Sequence, residues 1–385
     1  MIYMDYNATT PCDKRVVDEM VPYFSEQFGN PSSIYRLARD AKKAVEKARE
    51  NLAKLLDCKP EEVFFTSCGT EADNWAITGT AFGMRDKGRH IITSSIEHHA
   101  VLHTCKFLEK MGYEITYLPV DRYGIVDIEI LKKSIRKDTI LVSIMAANNE
   151  IGTIQPIKEI AQIVKEKGVL FHTDAVQVVG KLPFSVKQLG LDMLSLSGHK
   201  FYGPKGVGAL YVKKGVKLIP FIYGGGQERK KRAGTENVAG IVGIGKAAEI
   251  AISEMTEEGE KIRPLRDKLE EGIKQKIPEI IINGHPEKRL YNTLNLCIRA
   301  VEGEAILLHL DFEGICASSG SACTSGSLEP SHVLVAIGVP DILLHSSLRL
   351  SLGKHNTEDD VDKVLEVLPG IAEKLRKMSP FWGKK

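Results

Sequence analysis

The chain has 385 residues, a length that suits two domains, and its 52 lysines and arginines nearly balance 50 aspartates and glutamates. A net charge of +2 supplies no global field for nucleic acid or an anionic membrane. No apolar run approaches a membrane span, the first residues lack a signal-peptide layout, and seven cysteines without a CxxC pair argue against a disulfide framework or zinc ribbon. A soluble, cytoplasmic protein with free thiols is expected.

Taken in order, the opening Asp5-Tyr6-Asn7-Ala8-Thr9-Thr10-Pro11 is turn-rich, and Gly29-Asn30-Pro31-Ser32-Ser33 reads as a loop. Apolar spacing predicts a helix over 38–56, after which strands and helices alternate. Strands are expected at 63–65, 90–93, 115–118, 140–146, 169–173, 193–196 and 207–212, and helices at about 69–83, 98–111, 127–134 and 156–167. Several of these strands are apolar on both faces, which predicts an α/β fold with a mainly parallel sheet covered by helices. After Gly234 a helix over 238–251 leads into a charged helical stretch over 256–276, then strands near 280–282, 293–298 and 347–351 around a helix at 305–308. Residues 357–360 form a capping-box-like start, with Asp in place of Glu or Gln, to a last amphipathic helix. The expected division is a large domain over 15–250 and a smaller α+β domain formed by 1–14 with 251–385.

Candidate functional residues fall just after strand ends, where open α/β sheets bind ligands. Lys200 stands between a short apolar strand and a glycine-rich turn, with Ser197 and His199 before it. Alone it reads as a solvated lysine. Asp174 follows a buried strand, and it either caps the next segment or meets a cation. Together they are the pair that pyridoxal phosphate needs, an amine for a Schiff base and a carboxylate for the pyridinium nitrogen. Gly69-Thr70 at a helix start, Ser197, His199 and the Gly234-Thr235 turn offer donors for a phosphate.

Three further groups remain open at this level. His99 and His103 have metal-ligand spacing but no third ligand at a plausible distance in sequence, so His98-His99 reads as packing, or as an imidazole on the cofactor ring. Cys58, Cys105 and Cys297 sit among apolar neighbours and read as inert, and Cys316 reads as part of a strand. Cys323 lies in a run of serines and glycines that buries a thiol poorly, as a passive surface thiol or as a nucleophile. Arg349, in an apolar strand, needs an anion, either an internal carboxylate or a substrate α-carboxylate.

With these residues in place the sequence resembles the cysteine desulfurases of the NifS/IscS type, within the class V aminotransferases of pyridoxal-phosphate fold-type I. The resemblance runs from Asp5-Tyr6-Asn7-Ala8-Thr9-Thr10-Pro11 through Ser197-Gly198-His199-Lys200 to Ser347-Leu348-Arg349. Its most specific part is Ser318-Ser319-Gly320-Ser321-Ala322-Cys323-Thr324 with Ser327-Leu328-Glu329-Pro330-Ser331-His332, the longer loop of the group-I branch. It implies Lys200 as Schiff-base lysine and Cα base, Asp174 on the pyridine nitrogen, Gln177 and Asn149 on the phenolic oxygen, and His98 stacked on the ring. Gly69, Thr70, Ser197 and His199 hold the phosphate, with Thr235 reaching it from the second subunit of a homodimer. Asn30, Asn149 and Arg349 bind the L-cysteine carboxylate. Cys323 takes the sulfur as a persulfide for an IscU-like iron–sulfur scaffold protein, and the resemblance adds Cys323 as ligand of a transient 2Fe-2S cluster. The one departure, Cys68 before Gly69, puts nothing central in doubt. Selenocysteine lyase or class V aminotransferase activity is the rival chemistry, and a non-catalytic scaffold is the rival of another class.

Overall fold

The computed structural model describes residues 1–319 and 329–383, so the predicted nucleophile Cys323 lies outside the described residues. In chain order the described strands are β1 (Ile2–Tyr3), β2 (Val63–Thr66), β3 (His90–Ser94), β4 (Glu114–Leu118), β5 (Thr139–Ser143), β6 (Leu170–Asp174), β7 (Met193–Ser197), β8 (Gly208–Val212), β9 (Ile280–Asn283), β10 (Thr293–Ile298), β11 (Ile315–Cys316) and β12 (Ser347–Ser351). The described helices are α1 (Lys14–Met20), α2 (Pro22–Ser25), α3 (Arg36–Leu56), α4 (Gly69–Gly83), α5 (His99–Lys110), α6 (Ile128–Ser134), α7 (Ile157–Glu166), α8 (Val186–Leu189), α9 (Gln227–Lys230), α10 (Val238–Lys276), α11 (Gly303–Phe312), α12 (His332–Ala336) and α13 (Glu358–Met378).

Among the described residues the largest sheet has seven strands in the order β2-β8-β7-β6-β5-β3-β4. Pairing is parallel from β7 across to β4, and β8 runs antiparallel to both its neighbours. Successive side chains of a strand face opposite ways, and here both faces are apolar. Ile91, Leu141 and Met193 pack with Trp75 and Ile77 of α4, whereas Ile92, Val142 and Leu194 pack with Leu52 of α3, Ile160 of α7 and Ile244 of α10. The carboxyl ends of β2, β3, β5, β6 and β7 therefore share one edge, which is where the candidate residues emerge.

A three-stranded antiparallel sheet, β12-β10-β9, carries a separate core in which Leu294, Leu296, Leu348 and Leu350 meet Ile262 and Leu269 of α10 and Val361 and Leu368 of α13. β1 pairs in parallel with β11, Ile2 opposite Ile315, tying the start of the chain to the strand that precedes the cysteine segment. The two helices expected at 238–251 and 256–276 are one helix of 39 residues, α10, with Pro264 inside it. Nothing between Ala251 and Thr256 breaks a helix, since no glycine or proline stands there. Ile241 and Ile244 of α10 lie in the core of the large sheet and Ile262 and Ile273 in that of the small one, so the expected boundary at 250 falls inside a shaft common to both. α13 starts on the expected capping box, with Thr357 and Asp360 bonded reciprocally.

Candidate active site

Local structure delivers each group to the same edge of the sheet. Asp174 is the last residue of β6, buried, and one of its oxygens accepts the Val176 amide N–H at 2.9 Å. β7 ends at Ser197, and a single 3-10 turn, Gly198–Lys200, then carries His199 and Lys200. The Lys200 ammonium donates to the backbone carbonyls of Asn7 at 2.6 Å and Ala8 at 2.8 Å, so the turn-rich opening of the chain folds back over the site. Thr10 and Thr9 fasten that segment, through Thr10 to the His199 carbonyl and Thr9 Oγ1 to His199 Nδ1 at 3.1 Å.

On the neighbouring strands, Cys68 caps α4 and Gly69 is its first residue. A Cβ on Gly69 would lie 2.7 Å from Val176 Cγ2 and 3.5 Å from Ser197 Cβ, so only glycine lets the positive end of α4 close on β6 and β7. His98 caps α5, its Nδ1 accepting the Ala100 N–H at 3.1 Å. Asn149 follows β5 in a turn held by Asn148, whose side chain accepts the Glu150 and Ile151 amides and donates to the Ile96 carbonyl.

These groups line one cavity of about 310 Å³. Gly69, Thr70, His98, Asn149, Asp174, Gln177, Ser197, His199, Lys200 and Arg349 all reach it. Asn30 and Thr235 do not. Asn30 is exposed and its side chain accepts the Ser32 amide, while Thr235 is exposed and lines a different cavity with Gly206, Glu228 and Arg232. Arg349 has an internal partner after all. Its guanidinium donates to Asp5 at 2.7 Å and to the Asn149 carbonyl at 3.0 Å, while its Nε is buried with no hydrogen-bond partner among the described residues.

Sequence reasoning missed three residues. Asn7 is a buried hub whose carbonyl accepts from Lys200 and Gln177 and whose amide donates to Thr293 Oγ1 at 2.9 Å. Nothing local in the sequence marks it. Asp73 lines the cavity one turn along α4 from Thr70, a carboxylate spacing that was legible. Lys181 is buried and donates to Gln177 Oε1 at 2.9 Å, which leaves the Gln177 amide nitrogen to bond the Asn7 carbonyl.

Burial dominates the electrostatics. It pushes the Asp174 carboxyl up to about 6, with the Val176 amide and Lys200 pulling it back, so Asp174 is charged at neutral pH. Asp73 is raised well above the carboxylate range by burial and then by the charge of Asp174. Burial, and then the neighbouring Lys200, hold His98 and His199 down to about 4 and therefore neutral. His172, beneath the cavity floor, is pushed down to about 3 by burial and bridges Ser143 and Ser195.

Burial also lowers Lys181 from 10.5 to about 7. The unfolded chain then holds one more proton than the folded one between those values, so this group makes stability rise with pH from about 7 to 10.5. Replacing Lys181 with Met removes that contribution. The gap in thermal midpoint, Lys181→Met minus parent, should be most positive near pH 7 and shrink toward pH 10.5; a gap independent of pH in a buffer series would contradict the assignment.

The residues present fit pyridoxal phosphate. Ser197 Oγ is buried without a hydrogen-bond partner among the described residues, beside the positive end of α4, as a phosphate donor would be. Asp174 supplies the one anionic acceptor a ring nitrogen needs, and Lys200 the amine on the same wall.

The sequence matches the aminotransferase class-V family over residues 2–364. It is 60% identical over 383 residues to the cysteine desulfurase IscS of Methanosarcina thermophila, a match spanning 100% of this chain and 95% of that protein. A solved NifS-like protein superposes with a TM-score of 0.92 at 44% identity, covering 97% of this chain and 99% of the other. SspA in complex with cysteine superposes with a TM-score of 0.81 at 38% identity, covering 93% of this chain and 100% of the other.

Proposed function

The chain belongs to the aminotransferase class-V family as a pyridoxal-phosphate-dependent cysteine desulfurase that serves iron–sulfur cluster assembly, and we propose how its residues divide that work. The observation that carries the proposal is the meeting of Lys200, Asp174 and Arg349 in one cavity, from strand ends far apart in sequence. When bound, pyridoxal phosphate supplies an electron sink that makes the Cα proton of an amino acid labile.

Lys200 would tether the cofactor, and its amine is the base placed to take that proton and return it. The Asn7 and Ala8 carbonyls hold its ammonium aligned meanwhile. Asp174 would hold the ring nitrogen protonated, and neutral His98 would pack against the ring. Gln177 and Asn149 would bond the phenolic oxygen, with Lys181 orienting the Gln177 amide. Gly69, Thr70, Ser197 and His199 would hold the phosphate. Arg349 would take the L-cysteine carboxylate, helped by Asn149, while its bond to Asp5 keeps the guanidinium in place when substrate leaves. Cys323 thiolate attacks the substrate sulfur. An S–S bond forms as the C–S bond breaks, its electron pair stays with the carbon skeleton, and protonation there yields L-alanine.

The active form is a homodimer. The family resemblance assigns Thr235 to the phosphate of a second copy, and in its own chain Thr235 lies outside the cavity of the phosphate donors. Phe24, Phe28 and Ile34 leave apolar surface exposed on one chain for such a partner to cover. The persulfide passes to an IscU-like scaffold protein in the cytoplasm, and a 2Fe-2S cluster that touches Cys323 in transit is cargo. Among the described residues no helix is long and apolar enough to cross a membrane.

Incubation with isotopically labelled L-cysteine tests the reading. One alanine should appear for each sulfur found on Cys323 by mass spectrometry. Keto-acid formation in place of alanine would make the protein an aminotransferase, and failure to bind cofactor at all would leave only a scaffold role.

A further inference from the structure

The face of the large sheet that α4 covers is largely apolar, yet next to the cavity it turns polar. Every second residue of a strand faces the same way, so Leu141 and Ser143 of β5, His172 and Asp174 of β6, and Met193 and Ser195 of β7 all turn toward α4. Register sets Ser143 beside His172 and Asp174 beside Ser195. Ser143 Oγ bonds His172 Nδ1 at 2.8 Å, and Ser195 Oγ bonds His172 Nε2 at 2.9 Å. Ser143, His172 and Ser195 are fully buried, and none of them lines the cavity.

Asp73 of α4 comes down on this patch. It is 1% exposed, reaches the cavity beside Asp174, and its Oδ1 has no hydrogen-bond partner among the described residues. Among those residues its one neighbour at ion-pair distance is His172 Nε2 at 3.7 Å, and both ring nitrogens of His172 are already taken by the serines. An ionised carboxylate in a dry core without a cation is costly, and taking up a proton relieves it. Ser195 is the hydrogen-bonding neighbour of the carboxyl, so an acid O–H there has an acceptor. Burial, and then the charge of Asp174, raise Asp73, and Ser195 pulls it back. The other titratable groups around it are Glu97 and His98 at the start of α5, Cys68 before α4, His199 and Lys200 after β7, and Arg349 of β12. β2, β5 and β8 turn Phe64, Leu141 and Leu210 toward α4.

We propose that Asp73 is a positioning residue that stands in its acid form and so leaves Asp174 as the one carboxylate offered to the cofactor's ring nitrogen. A second carboxylate on this patch would repel the charge of Asp174 and draw a proton onto it. The acid form adds no charge, and its hydrogen bond seats the start of α4 on β6 and β7. Its consequence for catalysis rests on the desulfurase reading given above, whereas its protonation belongs to the chain itself.

The test labels the aspartates of the full chain isotopically in their side-chain carboxyls and reads them by infrared difference spectroscopy, which sets Asp73 apart from the buried Glu97. With the cofactor removed and near neutral pH, the parent should show an acid carbonyl band that Asp73→Asn lacks. In Asp174→Asn that band should vanish at a lower pH than in the parent, because the neighbouring charge is gone. A second measurement follows exchange of the L-cysteine Cα proton with deuterium in the holoenzyme. Asp73→Leu should slow it roughly 10-fold, as the loss of one buried hydrogen bond implies. Asp73→Asn, neutral and hydrogen-bonding like the acid, should recover most of that loss. No band assignable to Asp73, a band indifferent to Asp174→Asn, or Asp73→Asn as slow as Asp73→Leu would each overturn the proposal. If Asp73→Leu fails to fold, the infrared comparison decides. Cα exchange without alanine formation would defeat the desulfurase reading and leave the band of the cofactor-free protein where it is.

Discussion

Lys200→Ala will purify as a folded protein without the visible absorbance of covalently held cofactor, and its alanine production from L-cysteine will fall by at least about 10⁴-fold. The size of the loss follows from the absence of a substitute. Lys200 is the lysine that lines the cavity among the described residues, and the other buried amine, Lys181, is committed to Gln177 Oε1 behind the wall. Loss of Lys200 removes the covalent tether and the base at once. The phosphate donors and Asp174 survive, so added pyridoxal phosphate should still bind reversibly. An absorbance scan during titration checks this. A variant that stays yellow after dialysis would place the tether on another amine.

Cys323→Ser should separate cofactor chemistry from sulfur transfer. The variant will show the parent absorbance and respond to L-cysteine with the parent spectral change, yet release no alanine above background when amino acids are quantified after chromatography. A hydroxyl is a far weaker nucleophile toward sulfur than a thiolate. One described thiol, Cys68, lies on the cavity wall. Sustained alanine formation would point to it, or to direct elimination of the kind a selenocysteine lyase performs. Cys58 and Cys105 are poor candidates, since burial pushes both up to about 12 and keeps them protonated.

The two expectations use different parts of the site, and the sequence exposed those parts unequally. Asp174, Ser197 and Lys200 were legible because each follows a short apolar run whose type is dictated by a strand buried on both faces. Asp73 could have been read by the same logic, one helical turn beyond Thr70. Asn7, Lys181 and Glu150 could not. Asn7 and Glu150 matter through bonds to residues far along the chain, Lys200 and Ser331, which no spacing rule relates, and Lys181, four residues from its partner Gln177, matters through its burial. The helix over 238–276 shows the converse error, in which a change of surface charge resembled a boundary although the backbone continued unbroken.

What the sequence determined by itself is therefore the alternation of elements, the ends of the strands and the chemical kinds of group that stand there. Those depend on local propensity and on apolar periodicity, which short stretches carry in full. The tertiary structure decided which of these groups share a cavity, that Arg349 leans on Asp5, that Asn30 and Thr235 stay away from the cavity of their own chain, and that burial leaves His98 neutral and raises the Asp174 carboxyl. Those outcomes depend on distance through space and on exclusion of water. Both are set only when strands from distant parts of the chain lie side by side.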